Sequence, residues 1–306
     1  MKIAITTRSF ANLDSGPLDF LREYFSTIAV NETGRSLNED ECIGLLNGAA
    51  GALAGTEKLT DKIFAACPDL KVISRVGVGL DSVDLKAAES RGIRVLNTPG
   101  VLADAVAELS LALIIDCLRK ISASDRAVRT GEWKPPMGNL LRGKTVGIVG
   151  LGSNGRRLAE LLIPFRVSLF ACDVAPNEVF ARHLGIKLTD IETLLKKSDV
   201  VSVNAPLTDE TRHLLDASRL AMMKEGSILV NVSRGGIVDD AALASALKSG
   251  RPAAAGLDVF EKEPYSGELA RMDNVVLTPH AGSYAREARI EMEWAAARNL
   301  VSALGV

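Results

Sequence analysis

Residues 145–162 read TVGIVGLGSNGRRLAELL, and no other stretch limits the fold of this chain as strongly. A β-branched run leads directly into Gly150-Leu151-Gly152-Ser153-Asn154-Gly155. Leu158, Leu161, Leu162 and Phe165 then follow at i, i+3, i+4 and i+7, the spacing of an amphipathic helix. A strand that passes into a helix through such glycines opens a parallel α/β unit. Gly150 permits the tight turn, Gly152 lets backbone approach a pyrophosphate, and Gly155 lets the helix lie close to the strand. The start of the helix offers free N–H groups and the positive end of its dipole. The next strand, Val167 to Cys172, ends at Asp173, where a carboxylate would accept from both hydroxyls of an adenosine ribose. That charge repels a 2′-phosphate, and Val174, Ala175 and Pro176 supply no cation to pair one. The expected ligand is NAD rather than NADP.

The rest of the chain repeats this alternation in two blocks. Before the glycine loop, strands are predicted at Lys2–Thr6, Ile28–Val30, Gly51–Ala54, Val72–Val76 and Arg94–Asn97. Helices lie between them near Pro17–Tyr24, Asn38–Leu46, Thr60–Ala66 and Ser82–Arg91. Thr98-Pro99-Gly100 breaks the pattern, and a single long helix is expected from Asp104 to Arg129, ending at Gly131 with Pro135-Pro136 beyond. After Lys144 the strands resume at Thr145–Val149, Val167–Cys172, Val200–Asn204, Ser227–Val232, Ala253–Val259 and Val275–Thr278, and one last helix covers Ala285–Leu304. The reading is α/β, with two Rossmann/flavodoxin-like doubly wound parallel-sheet domains and a cofactor cleft between them. Residues 1–98 plus 284–306 form one domain, because the last helix is expected to pack back on it, and 99–283 form the other. A chain of 306 residues has enough material for two such cores. The apolar face of the long helix, with Trp133 just beyond, suggests a two-fold homodimer.

Composition narrows the partners. A formal charge of -2, with no Lys/Arg cluster, gives nucleic-acid phosphates no concentrated basic face. The four cysteines form no C-x-x-C pair, so neither a zinc site nor a redox dithiol is expected, and no metal. The greasiest run, Leu109 to Leu118, is interrupted by Asp116 and ended by Arg119. With no signal-peptide pattern at Met1–Thr7, the expectation is a soluble, cytoplasmic protein without a membrane or nucleic-acid partner.

A bound nicotinamide implies hydride transfer, which needs a cation for a substrate carboxylate and a group that exchanges the hydroxyl proton. Three histidines are available. His183 is expected mid-helix on the surface, and His213 at the start of a helix in a structural role. His280 follows the strand Val275–Thr278 and precedes Ala281-Gly282-Ser283, at the strand end where open α/β sheets bind ligands. Arg234 leaves another buried strand in Asn231-Val232-Ser233-Arg234-Gly235-Gly236, and a guanidinium can grip a carboxylate bidentately. Asp258, Glu261 and Glu263 follow a third strand, and any of them beside His280 would fix its ring and raise its pKa.

These residues resemble the D-isomer-specific 2-hydroxyacid dehydrogenases, closest in layout to D-3-phosphoglycerate dehydrogenases. The likeness runs through Gly77-Val-Gly79-Leu-Asp-Ser-Val-Asp84, Asn97-Thr-Pro-Gly100, the glycine loop, Asn231 to Asp239, Leu257-Asp-Val-Phe-Glu-Lys-Glu-Pro264 and Thr278-Pro-His280. It implies that His280 is the acid/base, Glu263 its supporting carboxylate and Arg234 the substrate-binding cation. The amides of Val78 and Gly79 would receive the substrate carboxylate. Asp258 would face the nicotinamide carboxamide, with Val232 and Ser233 lining the same end. Val78, Ala205, Pro206, Arg234, His280, Gly282 and Ser283 complete the residues expected around NAD. Two departures stand out. Ser153 and Asn154 occupy places where the family usually has Arg or His and then Ile. Ala54-Gly55-Thr56 stands where phosphoglycerate-type members often carry an Arg, although Arg75 matches a substrate-phosphate Arg of that subgroup. The implied substrate is an anionic, phosphoglycerate-like 2-hydroxy acid. Glyoxylate/hydroxypyruvate reduction, a phosphonate substrate and a non-catalytic NAD sensor are the alternatives.

Overall fold

A computed structural model describes residues 1–306. The chain divides into two compact units, Met1–Leu102 with Tyr284–Val306, and Ala103–Ser283. In the first unit β1 (Lys2–Ile5), α1 (Gly16–Tyr24), β2 (Thr27–Val30), α2 (Glu39–Leu46), β3 (Gly51–Ala54), α3 (Asp61–Ala66), β4 (Val72–Arg75), α4 (Leu85–Ser90) and β5 (Arg94–Leu96) alternate. The strands are all parallel in the order β2-β1-β3-β4-β5, the flavodoxin-like winding. Ile3, Ala4, Ile5, Ala52, Leu53, Val72 and Ile73 are fully buried, as strands covered by helices on both faces require. Side-chain caps set the helix starts. Asn38 and Glu41 form a reciprocal capping box on α2, and Asp84 accepts the Ala87 N–H at 3.0 Å. The Asp84 cap delays α4 to Leu85, where the apolar pattern suggested Ser82.

In the second unit α5 (Ala103–Arg119) and α6 (Ile121–Arg129) precede β6 (Thr145–Val149), α7 (Ser153–Leu162), β7 (Ser168–Cys172), α8 (Glu178–His183), β8 (Lys187–Leu188) and α9 (Ile191–Lys197). Then come β9 (Val200–Val203), α10 (Ala217–Ala221), β10 (Ile228–Asn231), α11 (Asp240–Lys248), β11 (Ala254–Leu257) and β12 (Val275–Leu277). The seven parallel strands run β8-β7-β6-β9-β10-β11-β12. This is the Rossmann order 3-2-1-4-5-6 with one strand added, and it puts a switch point between β6 and β9. The core clusters beneath β9–β12 around Val201, Val203, Leu229, Ala255 and Leu257.

The chain returns to the first unit as α12 (Arg286–Leu304), which lies on α1, β3 and β4. Met292, Ala296, Leu300 and Val301 are buried there. Each large apolar side chain so buried contributes about 1.5–3 kcal/mol. Polar ties fix the register: Ser74 Oγ donates to the Ala296 carbonyl at 2.8 Å and Asn299 Nδ2 to the Asn97 carbonyl at 2.9 Å. Buried Glu293 accepts the Ala11 N–H at 2.8 Å and pairs with Arg289 at 3.3 Å.

The single helix expected over Asp104–Arg129 is two helices. Lys120 between them is left-handed, with φ 55°. Asp116 makes the break: its Oδ1 accepts the Ser122 N–H at 2.8 Å and its Oδ2 the Ser122 hydroxyl. Asn139 N–H also donates to the Leu118 carbonyl at 2.8 Å, drawing off the end of α5. Ile121 and Val128 preserve the apolar rhythm across the break, so periodicity alone did not reveal it. No helix is long and apolar enough to cross a membrane. A left-handed non-glycine residue costs about 1–2 kcal/mol. Lys120→Gly should therefore raise the unfolding free energy in urea by about 1 kcal/mol, and Lys120→Val should lower it; equal midpoints for the two variants would show that Lys120 is unstrained.

Candidate active site

The loops after β6 and β9 diverge at the switch point of the second sheet, where doubly wound sheets take their ligands. Gly150 has φ 90°, and a Cβ on it would stand 2.6 Å from the Ala205 nitrogen after β9. A Cβ on Gly155 would collide with the Gly150 carbonyl. These two glycines are demanded by the fold itself. Gly152 differs: nothing lies within 4 Å of where its Cβ would be, so this position opens on space that a pyrophosphate can enter. Ser153, Asn154 and Gly155 form the first turn of α7, whose amides have no acceptor within the helix. The loop therefore fits a dinucleotide phosphate. Asp173 ends β7 as expected, and its carboxylate also shapes the loop: Oδ2 accepts the Leu151 N–H at 2.5 Å and Oδ1 the Ala175 N–H at 2.8 Å. Buried Ala205 and exposed Pro206 follow β9, and the Ser233 hydroxyl donates to the Ala205 carbonyl.

On the other side of the switch point, β10, β11 and β12 are successive neighbours, and each delivers one of the expected groups at its C-terminal end. His280 Nδ1 lies 2.8 Å from Glu263 Oε2. Glu263 Oε1 accepts the Phe260 N–H at 3.1 Å, so both carboxylate oxygens are engaged. The side chains remain 47% and 36% exposed, so the pair stands open to a ligand. Of the three acids that follow β11, Glu263 is the one paired with His280. Burial pushes the Glu263 carboxyl up. The hydrogen bond and charge of His280, the Phe260 amide and the charge of Arg234 outweigh that and hold it below the usual glutamate range. Arg234 leaves buried Val232 and half-buried Ser233, donates from Nη1 to the Ser233 carbonyl at 2.8 Å, and has its own carbonyl held by Asn231 Nδ2 at 3.1 Å.

Asp258 has a further function that the sequence did not indicate. It is 1% exposed and accepts from Ala281 N at 2.7 Å, Gly282 N at 2.9 Å and Thr278 Oγ1 at 2.5 Å. It clamps the loop that carries His280, whose backbone is left-handed at φ 54°, and that loop runs on through Gly282 to Ser283. Gly235 is also more than a flexible link. A Cβ there would run into the Phe260 carbonyl, so the loops of Arg234 and Glu263 touch through bare backbone.

Other expected residues lie elsewhere. Arg75, Val78 and Gly79 are in the first unit, at and after the end of β4. Arg75 Nη1 donates to the Val76 carbonyl at 2.7 Å, and Asn97 Nδ2 donates to that of Val78 at 2.7 Å. His183 is exposed, but it is the last residue of α8 and not in mid-helix, because Gly185 turns left-handed two residues later. His213 does not start a helix. It sits in a turn at φ 49°, with Nε2 3.1 Å from Glu261 Oε1.

A dinucleotide loop at a switch point, with an acid-held imidazole and a guanidinium at neighbouring strand ends, defines a nicotinamide-dependent oxidoreductase. Residues 111–282 match the family described as D-isomer specific 2-hydroxyacid dehydrogenase, NAD binding domain. A glyoxylate reductase of Thermofilum pendens is 45% identical over 81% of this chain and 76% of its own. A D-3-phosphoglycerate dehydrogenase of Archaeoglobus fulgidus is 43% identical over 80% of this chain and 47% of its own. A crystal structure of a Thermus thermophilus protein superposes with a TM-score of 0.91 at 37% identity, covering 100% of this chain and 97% of that one. The chain belongs to the D-isomer specific 2-hydroxyacid dehydrogenase family, and its cofactor is NAD.

Gly235→Ala should destabilise the second unit and abolish turnover, because neither the Phe260 carbonyl nor the added methyl can yield; wild-type melting and activity would show that the loops can part. Glu263 is a depressed carboxyl, so its contribution to stability is present above the unfolded value near pH 4.3 and is lost as pH falls through its lower folded value. The Tm gap between wild type and Glu263→Gln should accordingly close on acidification from pH 7 to below pH 4, and a gap that widened would reverse the sign.

Proposed function

We propose that the chain reduces a small 2-keto acid of the glyoxylate and hydroxypyruvate size class to its D-2-hydroxy acid, with His280 as acid/base, Glu263 as its support and Arg234 as carboxylate ligand. The observation that carries this reading is the His280–Glu263 pair at 2.8 Å, beside a guanidinium whose charge acts on the same carboxylate. Bound NADH supplies the hydride to the carbonyl carbon. Protonated His280 gives its Nε2 proton to the carbonyl oxygen, while Glu263 on Nδ1 fixes the ring and balances its charge. Arg234 neutralises the substrate carboxylate and the charge developing on the oxygen. In oxidation, neutral His280 takes the hydroxyl proton. The cofactor residues are Gly150, Gly152, Ser153, Asn154, Gly155 and Asp173, with Ala205, Pro206, Val232, Ser233, Gly282 and Ser283. In this reading Asp258 serves the nicotinamide end through the loop it clamps. Val78 and Gly79 are the candidates for amide contacts with the substrate carboxylate.

Two observations favour the small substrate over the phosphorylated one. Glyoxylate reductases at 45% and 43% identity and a hydroxypyruvate reductase at 39% stand among the similar relatives. The Arg75 guanidinium is folded onto its own backbone at the Val76 carbonyl, against Gly77. We also infer pairing with a second copy through α6 and the segment after it. No residue of α6 is buried, and Trp133 and Met137 are 88% and 87% exposed.

The test is NADH oxidation with glyoxylate, hydroxypyruvate and 3-phosphohydroxypyruvate, in wild type and Arg75→Ala. The first two should be preferred, and Arg75→Ala should leave them within about threefold. A strong preference for the phosphorylated acid, lost in Arg75→Ala, would restore the phosphoglycerate reading, and no turnover across the panel would favour an NAD sensor. His280→Ala should lower kcat by about 100-fold or more with NADH binding little changed. Arg234→Ala should both raise KM for the keto acid and lower kcat, because the guanidinium serves the bound carboxylate and the developing charge. Sedimentation of wild type and Trp133→Ala should show a dimer weakened by the substitution; a monomeric wild type at micromolar concentration would exclude the pairing.

A further inference from the structure

The second unit contains another imidazole–carboxylate pair, outside the constellation just described. His213 lies in the turn between β9 and α10 and joins two segments that carry the site. Its N–H donates to the Gly236 carbonyl at 2.7 Å, two residues from Arg234. Its Nε2 stands 3.1 Å from Glu261 Oε1, two residues from Glu263. Glu261 is held from a third side by the start of α11. The Asp240 N–H donates to Glu261 Oε1 at 3.1 Å, and the Glu261 N–H donates to Asp240 Oδ2 at 3.2 Å.

The Arg234 and Glu263 loops already meet where Gly235 abuts the Phe260 carbonyl. That contact and the Asp240–Glu261 bonds join the two loops to each other, and His213 ties both of them to the segment after β9. The His213 backbone is left-handed at φ 49°, in a turn, and its N–H is held by the Gly236 carbonyl. The cluster is also short of positive charge. Burial pushes Asp240 up to about 6, the charges of Glu261 and Asp239 push the same way, and His213 opposes them.

We propose that His213 is a positioning residue for hydride transfer: it braces the loop of Arg234 against the loop of Glu263 and so sets where the guanidinium stands relative to the His280–Glu263 pair. The proposal rests on the function given above. Misplacing one catalytic group by a fraction of a bond length slows the chemical step more than it weakens binding.

Two substitutions separate the side chain from the backbone. His213→Asn tolerates the left-handed backbone but is too short to reach Glu261, whereas His213→Gln reaches it and can donate. With the best keto acid, His213→Asn should lower kcat about tenfold or more, while KM and the NADH dissociation constant stay within about threefold. His213→Gln should return kcat to within about threefold of wild type. Glu261→Ala should match His213→Asn, and the double variant should lose no more than either single one; it also reads the brace if His213→Asn does not fold. A spectroscopic readout needs no turnover. The Nδ1 proton that His280 shares with Glu263 should give a downfield proton resonance, broadened in His213→Asn and sharp in His213→Gln. If no keto acid is turned over by the wild type, the functional reading fails and this resonance alone decides the brace. Wild-type kcat in His213→Asn, or a resonance that does not change, would overturn it.

Discussion

The site depends on one buried carboxylate. Asp258 stands almost wholly out of water and gathers the Thr278 hydroxyl and the Ala281 and Gly282 amides, while its own carbonyl takes the His280 N–H at 2.9 Å. A carboxyl group buried there would be costly without such donors. The donors thus stabilise Asp258 and oblige His280 to hold its conformation at φ 54°. That geometry brings the imidazole to Glu263.

From that clamp outward, the chemistry is a matter of adjacency along one sheet. Parallel strands β10, β11 and β12 lie side by side, so residues far apart in sequence emerge next to one another at the same edge. Backbone packing tightens what the topology begins. The Gly235 contact with the Phe260 carbonyl sets the approach of two loops without any side chain, and Phe260 is itself stacked on Tyr265 with ring centroids 4.3 Å apart. Glu263 is then a carboxylate with both oxygens committed, a better orienter of a ring than one free to rotate.

Much of this was legible in the amino-acid order. Buried parallel strands appear as short apolar runs bounded by turn residues, so every strand of the two sheets but one is visible to within a residue or two. The exception, β8, is two exposed residues, Lys187 and Leu188, with no apolar pattern to mark it. The Asp104–Arg129 helix was misread because its break is made by a hydrogen-bonding pair, Asp116 with Ser122, that leaves the apolar rhythm intact. His280 and Arg234 could be singled out from their places at strand ends. The choice of Glu263 over Glu261 could not be made from spacing alone, because two residues along an irregular loop point wherever the loop sends them. His213 was likewise assigned to a helix start, since Thr211-Arg212-His213-Leu214-Leu215 has helical composition. Its left-handed backbone is held instead by a bond to Gly236.

The return of α12 to the first unit bears on how the protein is made. Helix α12 supplies Met292, Leu300 and Val301 to a core whose other residues precede Leu102. During synthesis the ribosome must therefore translate the whole second unit before the first can close its hydrophobic interior. The nascent chain carries a five-stranded sheet without its last covering helix through most of its elongation, and the unit begun first is finished last. The apolar surface of β3 and β4 that α12 covers goes without that helix for the whole interval.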